Sequence, residues 1–206
     1  MMRLKCQTPA RHITFHDRMI LRLRFLALAA TFALAAGCED PFDVGAQRQT
    51  TDVLIEAWAL SGSPPSYPAG FLVPQMAVVP IGIEGDFDLA FDIDENGRLL
   101  VLPVSKVVQP LTTQRRIGFI RIDEPYNTVI EAPLTGWTYD TSIVVNPGGA
   151  FMARVQTRYC QFEVRQDIYA KFYVDSVIPA ERRVKLVGRI DPNCGYRSLL
   201  LGVPTF

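Results

Sequence analysis

The chain has 206 residues, with 21 Lys and Arg, 21 Asp and Glu and two His, so its formal net charge is zero. This length is sufficient for one domain with a buried core. A net charge of zero gives no basic excess of the kind that favours binding to a phosphate backbone, and we therefore expect no nucleic-acid partner.

The first feature along the chain is an uncharged apolar segment of twelve residues, Phe25–Ala36, which follows two arginines. As a helix it would span roughly 18 Å, less than the roughly 30 Å hydrocarbon core of a bilayer. A basic start, a short apolar middle and small residues at the end are typical of a secretory signal. We predict that residues 1–37 are a signal segment. Because residues 1–18 lack this pattern, we expect translation to start at Met19.

The end of this segment resembles a known family. Ala35-Ala36-Gly37-Cys38 is similar to the lipobox of bacterial lipoproteins, although that family most commonly has Leu where this chain has Ala35. The resemblance implies that Cys38 becomes the first mature residue and carries acyl chains that attach the protein to a membrane. Two or three such chains give stable anchoring. An ordinary signal peptide with an incidental cysteine is the alternative.

The same resemblance implies a location in the cell envelope. We expect an exported lipoprotein that faces the periplasm, on the outer membrane in preference to the inner one. Glu39 and Asp40 follow Cys38 directly, and they leave inner-membrane retention open because acidic residues at this place affect sorting in some bacteria.

Cleavage before Cys38 changes which chemistry is available to the chain. The first 37 residues hold six of the basic residues, one acidic residue and both histidines, so the mature chain has a net charge of −5 and no histidine. This excludes Ser-His-Asp and Cys-His catalysis and most zinc sites, and we expect no cofactor. Cys160 and Cys194 are then the remaining pair, which predicts a disulfide in an oxidising compartment. Two separate buried thiols are the alternative.

The mature chain reads as a polar tether, residues 38–50, followed by a β-rich domain, residues 51–206. Short β-branched and aromatic runs separated by turn residues predict about nine strands. Strands joined by local turns favour an antiparallel β-sandwich, of which the immunoglobulin-like type is one form, with a single closed barrel as the alternative. The predicted strands are 52–60, 76–83, 87–93, 99–108, 117–122, 137–145, 150–159, 168–177 and 184–190.

The run Asp92-Ile93-Asp94-Glu95-Asn96-Gly97 matches the opening of a calcium-binding EF-hand loop, but position twelve is Pro103 instead of Glu. We instead predict a β-hairpin with a two-residue type I′ turn at Asn96-Gly97. That register pairs Ile93 with Leu100, Phe91 with Leu102 and Leu89 with Val104. We predict no metal site, and a weak calcium site along Asp88, Asp92 and Asp94 is the alternative.

Two further groups of side chains are candidates for function. Asp123, Glu124 and Glu131 lie in one predicted loop and could converge as the carboxylates of a glycosidase, although solvated loop carboxylates are the simpler interpretation. Tyr67, Tyr126 and Trp137 are candidate ligand contacts, because aromatic rings stack on sugars and on peptide partners. We expect Trp58 and Trp137 to lie mainly in the core and Tyr67 to be exposed.

Taken together, the sequence favours a lipid-anchored, non-catalytic envelope protein that binds another envelope protein or supports an assembly. A carbohydrate- or small-ligand-binding sandwich is the first alternative. A hydrolase that uses carboxylates alone is the second.

Overall fold

The structure of this chain is a computed structural model that describes residues 45–82, 86–109, 116–156, 160 and 167–204. The predicted signal segment, Cys38 and the first part of the tether lie outside these residues. Residues 45–206 form one compact unit. Its strands in chain order are β1 Thr51–Trp58, β2 Gly70–Leu72, β3 Ala77–Val79, β4 Leu89–Ile93, β5 Leu99–Pro103, β6 Ile117–Ile122, β7 Thr138–Tyr139, β8 Ile143–Val145, β9 Ala150–Gln156, β10 Asp167–Ile178 and β11 Arg183–Asp191.

The strands form two antiparallel sheets, which confirms the predicted all-β sandwich. One sheet has six strands in the order β1-β11-β10-β9-β6-β7, and the other has five in the order β3-β2-β4-β5-β8. Neighbours along the chain, β9, β10 and β11, are also neighbours in the sheet, as local turns predict. Whether the sandwich is of the immunoglobulin-like type stays a prediction.

The described residues contain eleven strands, two more than predicted. β2 is a three-residue strand that the prediction did not include. The predicted strand 137–145 is divided into β7, in the six-stranded sheet, and β8, in the five-stranded sheet. Asp140 lies at the break with a φ of 51°, so the chain turns there and crosses from one sheet to the other. The predicted strand 99–108 ends at Pro103, where a one-turn helix, α1 (Val104–Val107), begins.

Five phenylalanines in the core between the sheets are linked by ring contacts with one another, and each is at most 1% exposed. Phe151 and Phe172 stack with ring centroids 4.9 Å apart, and Phe71 meets Phe172 edge-on at 5.9 Å. Because aromatic pairs favour such offset and edge-on contacts, these rings fix the spacing of the two sheets. Phe91 and Phe119 complete the set.

The β4–β5 hairpin is confirmed, but its predicted register is wrong by one residue. Ile93 pairs with Leu99, Phe91 with Val101 and Leu89 with Pro103.

The turn of this hairpin explains the shift. Gly97 has a φ of 73° whereas Asn96 has no positive φ, so the type I′ turn, which needs both residues there, does not form. Asp94 and Arg98 instead close a three-residue loop, in which the Gly97 amide donates to the Asp94 carbonyl. The Asp94 side chain accepts bonds from the Asn96 and Arg98 amides, which stabilises the longer loop.

The outer face of the six-stranded sheet is covered by two segments, residues 123–137 and residues 192–204. They enclose a second, smaller core of Ala132, Met152, Tyr169 and Leu199. The two segments are joined by backbone hydrogen bonds, such as that from the Leu199 amide to the Ile130 carbonyl at 2.7 Å. This cover buries polar side chains that strand alternation alone would place in solvent.

The predicted disulfide between Cys160 and Cys194 is confirmed, with the two Cα atoms 5.7 Å apart and the two cysteines 34 positions apart in sequence. Cys160 is fully buried and packs in the main core. The bond ties the segment between β9 and β10 to the segment that follows β11.

Candidate functional site

A cleft of about 710 Å³ opens on the outer face of the six-stranded sheet. One wall is the end of β6 with residues 123–127, and the other is the turn before β9 with residues 148–150. Tyr173 of β10 forms part of the lining between them. The cleft therefore lies where the covering segment 123–137 leaves the sheet.

The turn Asn146–Gly149 builds one wall, and its geometry is that of a type II turn. The Gly149 amide donates to the Asn146 carbonyl at 2.9 Å, and Gly148 has a φ of 79°. A type II turn needs this positive φ at its third position, which favours glycine. Hydrogen bonds between Val174 and both glycines, each of 2.8 or 2.9 Å, hold the turn against β10.

Two tyrosines supply the aromatic surface of the cleft. The rings of Tyr126 and Tyr173 lie 5.9 Å apart at an interplanar angle of 53°. The Tyr126 hydroxyl is buried and finds no hydrogen-bond partner in the part of the chain that the structure describes. Burial raises the pKa of this phenol, and the nearby Asp52 charge acts in the same direction. An unsatisfied buried hydroxyl is uncommon and marks a place where a ligand atom or a water can bind.

Lys171 lies beneath Tyr126 and is fully buried. Its Nζ atom donates to the carbonyl oxygens of Tyr126 and Val129 at 2.8 and 2.7 Å, and lies 4.3 Å from the centre of the Tyr126 ring. Burial lowers the pKa of Lys171 to about 8, and the charge of Arg189 adds to this effect while Asp52 opposes it. The lysine thus fixes the covering segment through carbonyl oxygens.

Asp52 is the carboxylate whose charge acts on Lys171, and Asp52 is itself paired with Arg189. The guanidinium of Arg189 binds both Asp52 oxygens, at 2.7 and 2.9 Å. A hydrogen bond from Arg189 lowers the pKa of the Asp52 carboxyl. Such a bidentate pair is geometrically specific, so Asp52 stays with Arg189 and Lys171 relies on carbonyls and the tyrosine ring.

The carboxylates that were candidates for hydrolysis do not all meet at the cleft. Asp123 and Glu124 are exposed and line it. Glu131 lies elsewhere, in an ion pair with Arg197, and is not part of the lining. The described arrangement thus offers two rim carboxylates and two aromatic rings.

The candidate aromatic contacts lie in different places. Tyr126 lines the cleft, whereas Tyr67 is 41% exposed and packs on Trp58 with ring centroids 4.5 Å apart. Trp137 is half-buried and packs against Tyr169 at 5.9 Å, with its indole N–H donating to the Pro133 carbonyl. Trp137 packs against the smaller core, and Trp58 is half-buried at the end of β1.

The three aspartates of the weak calcium alternative bind groups of the protein itself. Asp88 accepts a bond from the Val73 amide at 2.9 Å. Asp92 accepts bonds from Ser61 and Arg182, and Asp94 binds Arg98. In the ranges 45–82, 86–109, 116–156 and 167–204 with Cys160, no group of three His, Cys, Asp or Glu residues is placed to hold a metal ion.

Sequence reasoning missed Tyr173, Lys171 and the glycine wall of the cleft. A signal was present, because Lys171 is a single charge inside the apolar run Tyr169-Ala170-Lys171-Phe172-Tyr173. Alternation places Lys171 on one face with Tyr169 and Tyr173, and that grouping could have marked the site.

Comparisons with known proteins add no family to these observations. No family model, no curated protein and no solved structure matches the chain. The class that fold and site define is therefore an antiparallel, disulfide-linked β-sandwich with an aromatic cleft on one outer face. In the described ranges no helix has the length and apolar character needed to cross a membrane.

Proposed function

We propose that this chain is an exported, lipid-anchored and non-catalytic protein of the bacterial cell envelope, whose sandwich binds or supports another envelope protein. The observation that carries the proposal is the Cys160–Cys194 disulfide. Disulfides form and persist in oxidising compartments such as the periplasm. An exported chain agrees with the signal-like segment and with a lipid attachment at Cys38 on the periplasmic side.

The first experiment tests the anchor. Cells that express the full chain are labelled with an alkyne fatty acid, and the label on the purified protein is compared between wild type and Cys38→Ser. We expect the wild type to carry the label and to sediment with membranes, and the variant to lose both properties. Cys6→Ser is the matched control and should behave as wild type. Label that persists in the Cys38→Ser variant would contradict lipidation at this residue.

The second experiment tests the partner. The anchored protein is cross-linked in intact cells, solubilised in detergent and purified, and the attached proteins are identified by mass spectrometry. We expect a specific envelope protein that is absent when the Cys38→Ser form is used. Recovery of the protein without any cross-linked partner would count against the protein-binding function.

The cleft favours one second candidate, the binding of a carbohydrate or a small polar ligand. Tyr126 and Tyr173 provide ring faces, and Asp123 and Glu124 provide acceptors for hydroxyl groups at the rim. Sugars are bound in this way, by stacking combined with hydrogen bonds. Titration calorimetry with neutral oligosaccharides and soluble peptidoglycan fragments tests this candidate. Tyr173→Ala should remove binding, Tyr67→Ala should leave it unchanged, and no heat with any of these ligands would contradict it.

A further inference from the structure

Four apolar side chains form an exposed surface near the C-terminal end of the described chain. Ile130, Leu200, Leu201 and Val203 are 49%, 42%, 60% and 48% exposed. We call this group the C-terminal apolar patch. Single exposed apolar side chains are ordinary, whereas several that lie on neighbouring segments mark an interaction surface.

The patch is held in place by backbone pairing. The Leu199 amide donates to the Ile130 carbonyl at 2.7 Å, which brings residue 130 beside residues 199 and 200. Thr50 and Gly202 exchange two backbone hydrogen bonds of 2.8 and 3.1 Å. The patch is therefore fixed to the sheet and lies directly beside the residue at which the chain enters β1.

The chain that leads into β1 is fixed at the same place. The side-chain oxygen of Asn193 accepts bonds from the Gln47 and Arg48 amides, both at 3.0 Å, and its nitrogen donates to the Arg48 carbonyl at 2.8 Å. Asn193 is itself held by Asp191. From Gln47 onward the chain is therefore bound to the domain, next to the patch.

This attachment limits how far the domain can lie from a lipid on Cys38. Nine residue steps separate Cys38 from Gln47. At 3.3–3.6 Å for each step, a fully extended chain covers at most about 30 Å. A relaxed chain covers much less, so acyl chains on Cys38 would keep the residues around Gln47 close to the leaflet that holds them.

We propose that the C-terminal apolar patch rests on the membrane leaflet to which Cys38 is attached, and so sets the orientation of the sandwich on the bilayer. This inference rests on the proposed lipidation of Cys38. Apolar side chains buried at the boundary between headgroups and acyl chains add to the membrane affinity that a lipid anchor provides. In this orientation the end of the sandwich that carries Trp58 and Tyr67 points away from the bilayer.

The experiment places an environment-sensitive NBD fluorophore on the full-length acylated protein at Leu200→Cys, and in a second protein at Tyr67→Cys. These two positions have nearly equal exposure, 42% and 41%. Leu200 lies near the start of β1, where Thr50 pairs with Gly202, and Tyr67 packs on Trp58 at its end. With Cys38 acylated and Cys160 bonded to Cys194, the introduced thiol is the one available for labelling. The proteins are reconstituted in vesicles of phosphatidylethanolamine and phosphatidylglycerol, with and without nitroxide-labelled lipid.

We expect the fluorophore at position 200 to be quenched by the nitroxide lipid about twofold or more relative to the one at position 67, with emission shifted to shorter wavelength. Adding Leu201→Glu to the labelled Leu200→Cys protein should reduce this quenching, while adding Leu54→Glu should not. Circular dichroism of each variant shows that the sandwich is folded.

The outcomes separate this inference from the function on which it rests. A mass spectrum without acyl chains on Cys38 contradicts the proposed function. With acylation present, equal quenching at positions 200 and 67 overturns the inference alone. A wavelength shift at position 200 that depends on protein concentration and appears without vesicles also overturns it, because a second copy of the chain then covers the patch.

Discussion

The two ends of the sandwich stabilise their buried polar groups in different ways. At the end where β1 finishes, Asp92 is only 8% exposed, and its carboxylate receives Arg182 at 2.8 Å and the Ser61 hydroxyl at 2.5 Å. At the end where β1 begins, Asp191 is fully buried and is bonded by Asn193, and its second oxygen has no partner in the described chain. One buried carboxylate has a cation and the other has an amide.

The difference shows how each end accommodates a buried carboxylate. Arg182 leaves the β10–β11 connection to reach Asp92 on β4, so the ion pair joins the two sheets. Burial raises the pKa of Asp191 to about 6, although the hydrogen bonds from Asn193 act in the opposite direction. The end near the tether is instead secured covalently, by the Cys160–Cys194 bond. Substitutions that remove the disulfide, the ion pair and the buried Asp191 carboxyl in turn test this comparison.

The largest effect is expected from the disulfide. Replacing both Cys160 and Cys194 by Ser should lower the free energy of unfolding by about 3.5–4 kcal/mol, since a loop of this length is no longer closed in the unfolded chain. Urea denaturation of the oxidised protein and the double variant measures the difference. Equal midpoints with equal slopes would show that the tether end does not depend on this bond.

The ion pair between the sheets comes next. Asp92→Ala removes, at a nearly buried position, the carboxylate that pairs with Arg182 and accepts the Ser61 hydroxyl, and we expect a loss of about 3 kcal/mol in unfolding free energy. Asp123→Ala, at the exposed rim of the cleft, is the control and should unfold like the wild type. If Asp92→Ala lowers the unfolding free energy no more than Asp123→Ala does, the ion pair does not stabilise its end of the sandwich.

Asp191 gives a pH-dependent prediction of smaller size. Its carboxyl has a pKa of about 6 in the folded chain against an ordinary value of 3.8, so the folded state binds more protons between these values. This contribution to stability is complete below about pH 4 and is lost as the pH rises through 6. Asp191→Asn should remove the loss and be more stable than wild type by about 2 kcal/mol at pH 7. Thermal unfolding of both proteins from pH 4 to 8 tests this, and parallel curves would contradict it.

The smallest effect is expected at the β4–β5 turn, at the end that the ion pair joins. Gly97→Ala forces an L side chain into a φ of 73° and places its Cβ 3.3 Å from Pro179, so we expect a loss of about 1 kcal/mol. Gly45→Ala has no atom within 4 Å of the added carbon and is the matched control. Equal unfolding midpoints for the two variants would argue that this loop accepts another turn type.

Much of the fold could be predicted because its strands alternate clearly. β6 was predicted at its observed bounds, and β10 and β11 within one residue at each end. The disulfide followed from counting the cysteines that would remain after the predicted cleavage. The β4–β5 register could not be predicted, because it depends on whether the Asp94 side chain stabilises a three-residue loop in place of a two-residue one.

The site was much less accessible to sequence reasoning. Asp123, Glu124 and Tyr126 were selected, but Tyr173 lies about fifty residues later and reaches the cleft only because β10 runs beneath the covering segment. The break of the predicted strand 137–145 at Asp140 also depends on tertiary structure. The first part of this run pairs in the six-stranded sheet and the last part pairs in the five-stranded sheet.

The sequence by itself determined the all-β class, the antiparallel sandwich and the cysteine pair, because alternation, turn residues and a residue count are local or numerical properties. Only the tertiary structure decided the second core, the cleft and the burial of Lys171 and Asp191. These features depend on which segments cover the outer face of the sheet. That choice is set by packing between residues far apart in the chain, which no local pattern records.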